Sequence, residues 1–124
     1  MSEALNEAFA KVRTALHSGQ FAAIVLAEIG VENLATRLRK NADYGSSGLN
    51  EPILVPGIEP RRALLVRMSD KIARIQTLQH KGPEVAESLE DTMLDLANYC
   101  LLWVAADRLA AALMAGEKLR QVQS

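Results

Sequence analysis

Hydrophobic positions recur three and four residues apart along most of the chain, the period of helices with one packed face. Leu5, Ala8, Phe9, Val12 and Leu16 make such a face on a first helix, which Ser2 can cap and which His17-Ser18-Gly19 ends. A second helix is predicted from Gln20 to about Lys40, with Ile24, Ala27, Val31, Leu34 and Leu38 as its packing stripe. Gly30 inside it costs about 1 kcal/mol against alanine, so another backbone is expected to come close there, or the helix to bend. Lys40 to Gly48 is rich in turn formers. Beyond it, residues 49–59 form a long irregular connection with Pro52, Pro56 and Gly57 among apolar residues. Its Ile53, Leu54, Val55 and Ile58 are expected to pack on something, as a lid over a site or against a partner subunit. Pro60 suits the start of a third helix reaching about His80, with Leu64, Leu65, Met68, Ile72, Ile75 and Leu78 on its core face. Lys81-Gly82-Pro83 is a stop signal, and a fourth helix follows from near Glu84 to Ala115, ahead of Gly116. Past Tyr99 that helix is apolar on nearly every side and is expected to be buried, with residues 117–124 a frayed polar tail. The pattern predicts an all-α chain: one domain over residues 1–124, a bundle of four to five helices.

Composition agrees with helices. The chain is 49% hydrophobic with only 4% aromatic residues, too few aromatic and clustered β-branched positions for a sheet. A net charge of -1 supplies no field that would draw it to nucleic acid or to a membrane surface. Cys100 stands alone, which excludes a disulfide framework and a cysteine zinc site and leaves it as an expected small core residue. Met1-Ser2-Glu3-Ala4 lacks the basic and apolar regions of a leader, and the unbroken apolar run Tyr99 to Ala106 is short of a bilayer. A soluble protein of a reducing compartment is expected.

Charge changes the picture at three places. Glu87, Asp91 and Asp95 climb one stripe of the fourth helix four residues apart, and Asn98 returns to it. Leu89, Met93, Leu96, Ala97, Cys100 and Trp103 fall on the opposite side and form an expected apolar back. Carboxylates stacked one turn apart repel each other, so something cationic is expected in front of them. Glu28 and Glu32, one turn apart beside the second helix's packing stripe, are either a solvated edge or a second acid pair. Arg67, Lys71 and Arg74 form a basic stripe bordering the third helix's core face, with Asp70 beside them. That stripe is either surface charge pairing, Asp70 with Arg74, or a phosphate-binding edge. His17 and His80 lie at helix ends, where histidine completes a last turn or meets solvent.

No Gly-rich phosphate loop, zinc-spaced Cys or His pair, or nucleophile elbow is present. Carboxylates from two helices and a basic edge from a third remain. Such oxygens suit a hard divalent cation, Mg²⁺ or Mn²⁺ in its place, that bridges to phosphates. Glu28, Glu32, Glu87, Asp91 and Asp95 are the candidate metal ligands, and Arg67, Lys71 and Arg74 the candidate phosphate holders. A purely structural helical oligomer would have to explain the acid ladder as solvated surface.

Three stretches in order carry a resemblance: Lys40-Asn41-Ala42-Asp43-Tyr44-Gly45, Arg67 to Ile75, and Glu87 to Tyr99. Together, within about residues 20–105, the series resembles phage and bacterial nucleotide-modification-associated domains. It is similar to the all-α nucleoside triphosphate pyrophosphatases, the MazG-like and dimeric dUTPase group. The resemblance implies a helical bundle assembled as a homodimer or homotetramer, in a bacterial or phage-infected host cytoplasm, with no membrane and no direct nucleic-acid partner. It implies Mg²⁺ held by acids of two helices and hydrolysis of a (deoxy)nucleoside triphosphate to monophosphate and pyrophosphate. By position, Glu28 and Glu32 would be the first metal-binding pair and Glu87 and Asp91 the second, with Asp95 on the same stripe. Glu32 or Asp91 would orient or deprotonate the attacking water. Lys40, Asn41, Tyr44, Asp70 and Asn98 join the basic stripe as candidate substrate contacts. The superfamily usually spaces each acid pair three residues apart; here both are spaced four apart, and Ser88 stands where the usual second acid would be. On that difference rests the alternative: a nucleotide-binding protein that sequesters or senses its ligand without turnover.

Overall fold

A computed structural model of the chain describes residues 2–43, 47–80 and 86–123, the side chains at 41–43, 47, 86–87 and 118–123 excepted. Among the described residues it is all-helical, with no strand. The helices are α1 (Glu3–Leu16), α2 (Phe21–Asp43), α3 (Pro60–Leu78) and α4 (Ala86–Gln123), with a 3-10 turn at Ser47–Leu49. Contacts group the chain into two compact units, Met1–Lys40 and Asn41–Ser124.

In the first unit, Ser2 caps α1 by accepting the Leu5 N–H at 3.2 Å, and His17 closes it, its ring Nδ1 2.9 Å from the Arg13 carbonyl. Gly19, at φ 71°, takes the left-handed turn that lets α2 begin at Phe21. On the predicted stripe of α2, Ile24 and Ala27 are half-buried, whereas Val31, Leu34 and Leu38 are exposed. Nor does another backbone approach Gly30: nothing lies within 4 Å of where its Cβ would be.

The second unit is built on an antiparallel pair. Arg61 reaches Asp107 and Lys71 reaches Asp95, so α4 runs back along α3. Pro60 occupies the first turn of α3 as predicted, and Leu64 is its one fully buried side chain; with Ala63 and Ala106 of α4 it makes up the buried apolar residues described. Along the rest of that face, Met68, Ile75 and Leu78 are half-buried, but Leu65 and Ile72 are exposed.

Helix α4 departs from expectation in three respects. It runs through Gly116 to Gln123. One glycine costs about 1 kcal/mol, and the helix formers around it (Ala, Glu, Lys, Leu, Arg) outweigh that. Its second half is not buried all round: Leu101, Val104, Leu109, Leu113 and Met114 are exposed. Cys100 is exposed too, and so is Met93 on the expected apolar back. The reason is geometric. Among its described side chains Thr92, Asn98 and Ala106 are buried, while Leu89, Leu96 and Trp103 of the expected back are only half-buried, so α4 packs a mixed polar and apolar face. Ser88–Glu117 is also long and apolar enough, by length and composition alone, to cross a membrane, although a core helix of a soluble protein passes the same test.

The connection after the 3-10 turn is irregular as predicted, but its apolar residues are largely uncovered. Ile53 and Leu54 are each 93% exposed, and only Ile58 is half-buried. Polar contacts within the loop shape it instead: the Gly57 N–H donates to the Glu51 carboxylate at 3.1 Å, with Gly57 at φ 92°.

Candidate functional site

The basic stripe of α3 meets the acid stripe of α4 at one bond. The Lys71 Nζ donates to Asp95 Oδ2 at 3.1 Å, and the two side chains keep 27% and 32% of their surface accessible. This supplies the cation that the acid ladder demanded, at least for Asp95: the charge in front of it is an ammonium of the neighbouring helix. One turn earlier on α4, Asp91 is exposed. Asn98, one turn beyond, is buried and donates through Nδ2 to the Leu94 carbonyl at 2.8 Å. Thr92, which sequence reasoning passed over, is buried between them and donates to the Ser88 carbonyl at 2.8 Å. Each of these buried polar side chains donates to a carbonyl one turn back on its own helix, which helps a polar face to pack.

On α3, Arg67 is half-buried and Arg74 exposed. Asp70 is exposed as well and makes no ion pair with Arg74 among the described residues, so the expected surface pairing on this stripe is absent. The 3-10 turn closes over this part of the hairpin. A Cβ on Gly48 would lie 3.1 Å from Leu102 Cδ1 and 3.9 Å from Arg67 Nη1, so only a glycine lets the turn approach the helix pair this closely without displacing Leu102. Lys40, Glu28 and Glu32 are exposed in the first unit. Asn41, Tyr44 and Glu87 fall outside the described side chains.

A second ionic contact was missed at the sequence level. Arg61 donates through Nε to Glu59 at 2.8 Å and through Nη1 to Asp107 at 2.7 Å, clamping the start of α3 to the middle of α4. The hydrogen bond from Arg61 is the main reason the Glu59 carboxyl is held below its usual range. The bonds it donates, to Glu59 first and Asp107 second, hold the Arg61 guanidinium above its own. The available signal was Asp107 itself, a charge breaking an apolar run with no cation predicted to meet it.

Asp91 and Asp95 fit a hard divalent cation in kind, being carboxylates. In number they fall short: among the described residues no three His, Cys, Asp or Glu side chains gather closely enough to hold one. What this part of the hairpin offers by itself is a row of cations on α3, Arg67, Lys71 and Arg74, met at Lys71 by a carboxylate.

The sequence model of the family described as nucleotide modification associated domain 1 matches residues 40–105, more than half of the chain. The chain belongs to that family. No curated protein and no solved structure matches it significantly.

Proposed function

We propose that this member of the nucleotide modification associated domain 1 family is a nucleotide pyrophosphohydrolase, related to the MazG-like all-α enzymes, that cleaves a (deoxy)nucleoside triphosphate to monophosphate and pyrophosphate. The observation that supports the reading is the Lys71–Asp95 bond, in which a cation of the basic stripe of α3 meets a carboxylate of the acid stripe of α4. Arg67, Lys71 and Arg74 hold phosphate oxygens, a task suited to guanidinium and ammonium groups. Asp91, exposed beside that line, takes a proton from water as its oxygen bonds to the α-phosphorus. The bond from that phosphorus to the bridging oxygen breaks, and pyrophosphate leaves with the electron pair. Mg²⁺, or Mn²⁺ in its place, belongs to the same proposal and would neutralise phosphate charge when bound. Asp91 and Asp95 of α4 are its candidate ligands in this unit, with Glu87 before them on the same stripe of the sequence. Assembly as a homodimer or homotetramer in the cytoplasm is the other part of the reading. The uncovered apolar back of α4, with Met93, Leu101 and Val104 exposed, supports a subunit contact there.

A second reading, binding without turnover, draws support from the same bond, because an Asp95 already neutralised by Lys71 has less call for a metal. Purified protein incubated with a panel of nucleoside triphosphates and Mg²⁺ separates the two, with pyrophosphate release and binding heat followed together. Release that Asp91→Asn abolishes supports the hydrolase. Binding heat without release supports the sequestering protein, and neither signal across the panel overturns both.

A further inference from the structure

Lys71 occupies the middle of the basic stripe, between Arg67 one turn before and Arg74 one turn after, yet its ammonium is committed to Asp95. A carboxylate presents two oxygens to a cation much as a phosphate does. Resting on the reading of this edge as a phosphate site, we propose that Asp95 is an internal competitor. In the ligand-free chain its carboxylate stands where a phosphate group of the nucleotide binds Lys71, and the arriving phosphate displaces it.

Three observations make the exchange physically reasonable. Both partners retain about a third of their side-chain surface, so an anion can reach Lys71 from solvent. Lys71 donates one bond, from a flexible ammonium, whereas Arg61 donates to two carboxylates at once. Moreover, Arg67 and Arg74 make no ion pair among the described residues, so the incoming anion finds two cations ready beside the one it must win. The exchange has a consequence for order. Asp95 is released only once the anion has arrived, so the site's acidic side opens after its basic side is filled. The free energy spent on breaking the internal bond weakens anion binding by the same factor, as linkage requires.

The test uses inorganic pyrophosphate as the probe, titrated calorimetrically into the full-length protein in metal-free buffer. Asp95→Asn removes the competitor's charge while keeping its shape, and is expected to tighten binding about fivefold. In a Lys71→Met background the same Asp95 substitution is expected to gain nothing, because the cation that Asp95 masks is gone. Asp91→Asn, which removes a neighbouring charge but no bond to Lys71, separates a general field effect from the specific exchange. The proposal is overturned if wild-type protein binds pyrophosphate and Asp95→Asn does not tighten it, or tightens it equally with and without Lys71. It is overturned as well if Asp91→Asn reproduces the gain. Should no variant bind pyrophosphate, the phosphate reading of this edge falls, and the competitor falls with it. Circular dichroism of each variant confirms that it is folded, and Asp95→Ser repeats the measurement should the asparagine variant not fold.

Discussion

The two ends of the α3–α4 hairpin are held by the same kind of bond in opposite surroundings. At one end Arg61 joins Glu59 and Asp107 beside the apolar residues Ala63, Leu64 and Ala106. About 15 Å further along α3, Lys71 joins Asp95 beside the buried polar residues Thr92 and Asn98. A guanidinium fork bonded to two carboxylates over a packed apolar layer gives up its geometry reluctantly. A single ammonium bond between side chains that keep about a third of their surface accessible can open to water. The first end is built to hold and the second to exchange, and each can be broken separately.

The largest effect is expected at the holding end. Leu64→Ala removes the fully buried side chain and leaves a cavity, which should lower unfolding free energy by about 3 kcal/mol in chemical denaturation. A loss below about 1 kcal/mol would mean that the apolar layer is not what fastens the hairpin. Next comes a crossed pair of substitutions. Lys71→Met should weaken nucleotide or pyrophosphate binding by about tenfold, since a charge-assisted bond to phosphate is lost. Arg61→Met should leave that affinity unchanged and lower the melting temperature instead. If both variants lose binding equally, the two ends do not divide the work in this way.

The contrast between the ends also accounts for what could be read in the sequence. Helical periodicity, the Ser2 cap, Pro60 and the Gly19 break gave the elements and most of their boundaries, because each acts within a few residues. Which face of α4 packs could not be read that way. Hydrophobicity pointed to Leu89, Met93, Leu96, Ala97, Cys100 and Trp103; of these Met93, Ala97 and Cys100 are exposed and the other three half-buried, while the fully packed positions nearby are the polar Thr92 and Asn98. An amphipathic pattern assumes that apolar surface goes to the nearest partner, and spacing along one helix does not say which of its faces meets α3. The acid ladder was legible as a demand for positive charge, and Lys71 was legible as a cation. Their meeting was a long-range contact that spacing on either helix does not encode. Arg61 was missed for the same reason, since its partner Asp107 lies across the hairpin.

The smallest expected effect is a pH dependence confined to the holding end. Arg61 lowers the Glu59 carboxyl in the folded chain, so the folded state favours the ionised form more than the unfolded state does. That contribution is complete above the ordinary glutamate range and is lost as pH falls through the lowered folded value. Both groups are exposed enough for water and salt to screen the bond, which keeps the effect modest. Glu59→Gln should therefore lower the melting temperature slightly at neutral pH and not at all in strong acid, with the difference shrinking as salt is added. At the exchanging end the corresponding substitution, Asp95→Asn, should shift pyrophosphate affinity at neutral pH while moving the melting temperature less than Leu64→Ala does. A stability difference for Glu59→Gln that persisted unchanged into acid would show that the residue acts through packing or helix capping and not through its charge. The holding end would then owe its strength to Asp107 and the apolar layer alone.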